Sequence, residues 1–126
     1  MSHAQRTILY VEDNEYNRKI VRQLLARSAC RLLEATDGDT GVAMARQELP
    51  DLILMDVQLP RMSGLDATKL LTTDEATRHI PIIVITSYAL SGDREKAMQA
   101  GASNYMAKPY SPSELLRMVK QYLPDI

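Results

Sequence analysis

Apolar residues fall into short unbroken runs separated by longer amphipathic stretches. The runs "ILYV" at 8–11, "LILM" at 52–55 and "IIVI" at 82–85 are too short for helices and rich in strand formers or Leu. They predict strands buried on both faces. Two weaker runs, "RLLEA" at 31–35 with its interleaved charge and the very short "YMA" at 105–107, predict edge strands. Between the runs, the helical period predicts helices over 14–28, with Ile20, Val21, Leu24 and Leu25 on one face, and over 39–48, 64–72, 92–100 and 112–123. The last begins with "SPSE", in which Ser111 can cap, Pro112 can take the first helical position and Glu114 can close a capping box.

Strand and helix thus alternate five times, without an internal repeat, a low-complexity tract or a Pro/Gly/Ser linker. This predicts an α/β domain with a parallel sheet. Placing the three fully apolar strands centrally and the two mixed ones at the edges gives the order 2-1-3-4-5, a flavodoxin-like doubly wound (βα)5 sheet. Right-handed crossovers then set the first and last helices on one face and the middle three on the other.

The chain of 126 residues fits one domain over 1–126, large enough to bury a core without disulfides or structural metal. A net charge of -1 removes the electrostatic case for sequence-independent nucleic-acid binding. Cys30 is the only cysteine, which excludes an intrachain disulfide or a cysteine metal cluster and suits a reducing compartment; alone, it reads as a small buried filler. "MSHAQRT" lacks a signal-peptide core, and no apolar run approaches the ~18 residues of a membrane span. The expectation is a soluble cytoplasmic protein that engages neither nucleic acid nor membrane.

Four strands end, on their C-terminal side, in polar residues: Glu12 and Asp13, Asp56, Thr86 and Lys108. All C-terminal ends of a parallel sheet share one edge, and open α/β sheets bind ligands there, where the strand order reverses. Three carboxylates crowded together repel unless a cation neutralises them. Mg²⁺ suits this all-oxygen set, whereas zinc would ask for His or Cys, and only His3 in the tail and His79 in a loop exist. A carboxylate beside Mg²⁺ and Lys108 is equipped to attack phosphorus, and Asp56, centrally placed, is the candidate nucleophile. Thr86 would hydrogen-bond a phosphoryl oxygen. Taken singly, each residue has a plainer reading: Asp13 as a helix N-cap, Asp56 as a turn residue, Lys108 as a solvated charge and Tyr105 as strand packing.

Together, "ILYVEDNEYNRK", "DLILMDVQLPRMSGLD", "IPIIVITSYAL" and "GASNYMAKPYS" resemble the receiver domain of bacterial two-component response regulators, over about residues 7–123. The resemblance implies that Asp56 accepts phosphate from a phosphohistidine on a sensor histidine kinase or histidine phosphotransfer protein. It implies Mg²⁺ held by Asp13, Asp56 and the backbone carbonyl of Gln58, with Glu12 assisting through water, and Lys108 paired with the phosphate. Thr86 and Tyr105 would act as the switch, changing the surface of the fourth helix, fifth strand and fifth helix for a downstream protein target. A cis Lys108–Pro109 bond is also implied. Ser87 and Glu12 depart slightly from the family's usual Ala and Asp. Tyr88 and Gln58 stand where the family modulates acyl-phosphate hydrolysis, and Tyr88 is expected to limit water access.

The chain stops where the fifth helix would end, so no output domain is expected; "MSHAQRT" favours a complete small protein over a piece of a hybrid kinase. Oligomeric state and the direction of phosphate flow stay open. Three other classes compete. A flavin or nucleotide binder would need a Gly-rich phosphate loop where "EDNEYN" is acidic. An aspartate-nucleophile phosphatase would have a second acid where Gln58 stands. A degenerate receiver would lack part of the Glu12, Asp13, Asp56, Thr86 and Lys108 set.

Overall fold

Each unbroken apolar run forms a strand in the computed structural model, which describes residues 5–87 and 92–126. Strands β1 (Arg6–Val11), β2 (Cys30–Ala35), β3 (Leu52–Asp56), β4 (Ile82–Thr86) and β5 (Asn104–Ala107) alternate with helices α1 (Glu15–Leu25), α2 (Gly38–Glu48), α3 (Gly64–Thr73), α4 (Asp93–Gln99) and α5 (Pro112–Tyr122). The sheet is parallel with order β2-β1-β3-β4-β5, the order expected from the distribution of charge among the runs. β3 and β4 are buried at every position, while the edge strands bury only Ala35 in β2 and Met106 in β5.

Because side chains alternate across a strand, the sheet divides its apolar residues between two cores. Ile8, Tyr10, Leu52, Leu54, Ile83, Ile85 and Met106 pack against Val21 and Leu25 of α1 and Leu115 and Val119 of α5. Leu9, Val11, Ile53, Met55, Ile82 and Val84 pack against α2, α3 and α4 through Val42, Ala45, Ala67, Leu71 and Ala97. The first and last helices thus share one face, as right-handed crossovers require. No helix among the described residues is long and apolar enough to cross a membrane.

Helix ends follow local chemistry. Ser111 Oγ accepts the Glu114 N–H at 3.2 Å and Glu114 Oε1 accepts the Ser111 N–H at 3.4 Å, completing the capping box at α5. At α1 the N-cap is Asn14, whose Oδ1 accepts the Asn17 N–H at 2.9 Å, and not Asp13. α1 ends at Leu25, short of the expected 28, because no apolar residue larger than Ala follows until Cys30 and further turns would have nothing to bury. Cys30 itself is half-buried, since it opens an edge strand. Gly64 is required by proximity: a Cβ there would lie 1.8 Å from the Asp56 carbonyl oxygen, while its N–H donates to the Val57 carbonyl at 2.8 Å. That contact seats the start of α3 directly on the end of β3.

Candidate functional site

The alternation that sorts the cores also assembles the polar cluster. Tyr10 pairs with Leu54 in register, and both face the α1/α5 core. Two residues further on, Glu12 and Asp56 inherit that side of the sheet, and they are 1% and 3% exposed. Lys108 stands two residues beyond Met106 and extends from β5 over the same face, with its backbone N–H bonded to the Thr86 carbonyl at 2.8 Å. Its Nζ donates to Glu12 Oε1 at 3.0 Å and to Asp56 Oδ2 at 3.4 Å. Lys108 is therefore closer to Glu12 than to the candidate nucleophile, a preference no spacing in the sequence could reveal.

Asp13 is exposed at the mouth of the cleft, and Glu12, Asp13 and Asp56 can bring one carboxylate oxygen each within 4.8 Å of one another. Three carboxylates against one ammonium leave negative charge uncompensated. Burial, followed by the adjoining Glu12 carboxyl, pushes Asp56 up to about 7, against the pull of Lys108 and of the Gln58 backbone N–H. Burial also acts on Glu12, but hydrogen bonding with Asp56, Lys108 and the Asn14 N–H outweighs it and holds Glu12 below the usual range. For Lys108, burial opposes the charge and the two carboxylates more than restore it. Of the two buried carboxyls, Asp56 is the one that holds a proton near neutrality. The all-oxygen donor set with surplus negative charge fits a hard divalent cation such as Mg²⁺.

Thr86 and Tyr105 belong to the other side of the sheet. Thr86 is fully buried and continues the line of Ile82 and Val84, and Tyr105 pairs with Val84 and packs on the α2/α3/α4 core. The two expected switch residues are thus on one face and the carboxylate–lysine cluster on the other. Gln58 is exposed, with its backbone N–H at the Asp56 carboxylate. The Lys108–Pro109 bond is cis. An open groove of about 540 Å³ runs beside Lys108, bordered by Asn17, Ile20, Pro109 and Tyr110. Tyr88 lies outside the described residues.

Two side-chain contacts to the Glu12 carboxylate went unread in the sequence. The Tyr10 hydroxyl donates to Glu12 Oε1 at 3.2 Å, and Asn17 Nδ2 donates to the same oxygen at 3.2 Å. The available signal was a phenol two residues before Glu12 on the same strand face, and an amide one turn into the helix that follows.

The family model described as the response regulator receiver domain matches residues 8–120. The polar-differentiation response regulator DivK of Brucella ovis is 42% identical over 120 residues, which is 95% of this chain and 98% of that protein. Among solved structures, the receiver domain of a sensor histidine kinase from Pseudomonas aeruginosa superposes with a TM-score of 0.88 at 38% identity, covering 96% of this chain and 99% of that one. That structure has a magnesium ion coordinated in its active-site cleft. The chemotaxis protein CheY4 of Vibrio cholerae gives a TM-score of 0.87 at 25% identity, over 94% of this chain and 99% of that one. The sheet order, the clustered strand ends and these likenesses agree, and the chain belongs to the receiver domain family of two-component response regulators.

Proposed function

We propose that this receiver accepts a phosphoryl group on Asp56 from a phosphohistidine of a sensor histidine kinase or a histidine phosphotransfer protein, and passes the signal to a protein target. The observation that carries the reading is Asp56 at the end of a central strand, buried beside Glu12 and 3.4 Å from Lys108, with Asp13 at the cleft mouth. Asp13, Asp56 and the backbone carbonyl of Gln58 would hold Mg²⁺, and Glu12 would reach it through water. The ion, when bound, supplies the positive charge that the three carboxylates lack and polarises the phosphoryl oxygens.

An ionised Asp56 oxygen forms the new O–P bond as the P–N bond to the donor imidazole breaks. The electron pair leaves with the imidazole nitrogen, which takes a proton from solvent if it departs unprotonated. Lys108 turns from the carboxylates toward the incoming phosphoryl oxygens and offsets their charge, and Thr86, which starts on the other face of the sheet, moves toward one of them to donate a hydrogen bond. Thr86 and Tyr105 then carry the change to the surface formed by α4, β5 and α5, which a downstream protein reads. The open groove beside Lys108 offers a donor protein an approach to the site.

Intact-protein mass after incubation with acetyl phosphate and Mg²⁺ tests the reading. A single phosphate adduct that requires Mg²⁺ and is absent from Asp56→Asn is expected. Absence of an adduct in the wild type, with acetyl phosphate and again with a competent histidine kinase, would overturn it.

A further inference from the structure

Tyr10 is fully buried in the core between the sheet and helices α1 and α5, where a phenylalanine would fill nearly the same space. A hydroxyl in such surroundings costs free energy unless it is hydrogen-bonded. The hydroxyl meets Glu12 Oε1 at 3.2 Å and also the Tyr110 side chain; since a carboxylate only accepts, Tyr10 gives its one proton to Glu12 and accepts from Tyr110. Asn17 Nδ2 at 3.2 Å and Lys108 Nζ at 3.0 Å converge on the same oxygen, while Oε2 accepts the Asn14 N–H at 3.3 Å. The Arg18 guanidinium holds the Glu12 backbone carbonyl at 2.9 Å. Glu12 is therefore fixed from the core, from α1 and from β5 at once.

We propose that Tyr10 and Asn17 are positioning residues for the cation site: by donating to Glu12 Oε1, they fix the carboxylate that anchors Lys108 and faces Asp56. This deepens the phospho-acceptor reading and rests on it. Neither residue touches the reacting atoms, so each acts only through Glu12. Groups that orient the ligands of a metal site typically alter affinity or activity by 10- to 100-fold when removed. With Glu12 reaching the ion through water, the lower end, about 10-fold, is the expected effect on Mg²⁺ affinity.

The test compares Tyr10→Phe, Asn17→Ala, Glu12→Gln and the double variant Tyr10→Phe/Glu12→Gln. Mg²⁺ binding is measured by titration calorimetry, and adduct formation with acetyl phosphate is followed as a function of Mg²⁺ concentration. Tyr10→Phe should retain the wild-type urea midpoint yet bind Mg²⁺ about 10-fold more weakly, with the adduct rate recovering to within about twofold at saturating Mg²⁺. Adding Tyr10→Phe to Glu12→Gln should change Mg²⁺ affinity no further, because the hydroxyl acts through that carboxylate. Unchanged Mg²⁺ affinity in Tyr10→Phe, or additive losses in the double variant, would overturn the inference while the wild-type adduct still stood. If Tyr10→Phe does not fold, Asn17→Ala on the partly exposed surface of α1 decides by the same two readings. A wild-type chain with no adduct is a different failure, and it falls on the phospho-acceptor reading.

Discussion

Replacing Asp56 by Asn should stabilise the metal-free protein at alkaline pH, although it removes the proposed phosphoryl acceptor. In the folded chain the Asp56 carboxyl titrates at about 7, whereas its ordinary value is 3.8. Below the ordinary value the carboxyl is protonated in folded and unfolded chains alike, and it contributes no pH dependence. Between the two values the folded chain keeps a proton that the unfolded chain has released, so stability falls as pH rises through this window. Above about 7 the whole cost is present. At about 1.4 kcal/mol for each tenfold change in proton affinity, the interval corresponds to on the order of 4 kcal/mol. The larger effective dielectric that reproduces measured electrostatics even at buried sites sets the lower end at about 2 kcal/mol. Asn keeps the shape and carries no charge. Urea unfolding in EDTA should show wild type and variant nearly equal near pH 4 and the variant ahead by about 2 to 4 kcal/mol near pH 8.5. Mg²⁺ should narrow the gap by stabilising the wild type in proportion to its binding. A variant less stable than wild type near pH 8.5, or a difference that does not change with pH, would refute the reasoning.

Two further outcomes follow from local geometry. Gly64→Ala places a Cβ 1.8 Å from the Asp56 carbonyl oxygen, so α3 or the end of β3 must shift; a loss of about 3 kcal/mol in urea unfolding is expected, together with weaker Mg²⁺ binding. A wild-type urea midpoint would show that the start of α3 yields freely. Ser111→Ala removes one half of the capping box and should cost about 1 kcal/mol, read as a fall of about 4 °C in the thermal midpoint, with phosphate uptake unaffected.

The central strands were legible because β1, β3 and β4 are buried on both faces and their sequences leave little room for another reading. The weaker β5 was legible only as "YMA", since Met106 alone is buried in it. The α1 start was misread by one residue. Asp13 and Asn14 both have capping side chains, and the choice depends on where the chain leaves β1, which composition does not record. The clustering of Glu12, Asp13 and Asp56 followed from strand order alone. The preference of Lys108 for Glu12 did not, because it joins residues 96 positions apart through side-chain lengths that only the packed sheet fixes. Tyr10 was hidden for the opposite reason: it looked like an ordinary strand former, and its hydroxyl acquires meaning only once Glu12 is known to lie above it on the same face.

The division of the site between the two faces of the sheet makes it a matter of parity. Glu12, Asp56 and Lys108 lie an even number of residues beyond Tyr10, Leu54 and Met106, whereas Thr86 and Tyr105 keep step with Val84. A conservative substitution within a strand leaves that count intact. Deleting or inserting one residue in β1 after Tyr10, or in β3 after Leu54, would send Glu12 or Asp56 to the opposite side, even if every apolar position remained apolar. Length variation in this protein is therefore expected to collect in its loops and helix ends. Its strands, even where their side chains change freely, must keep their count.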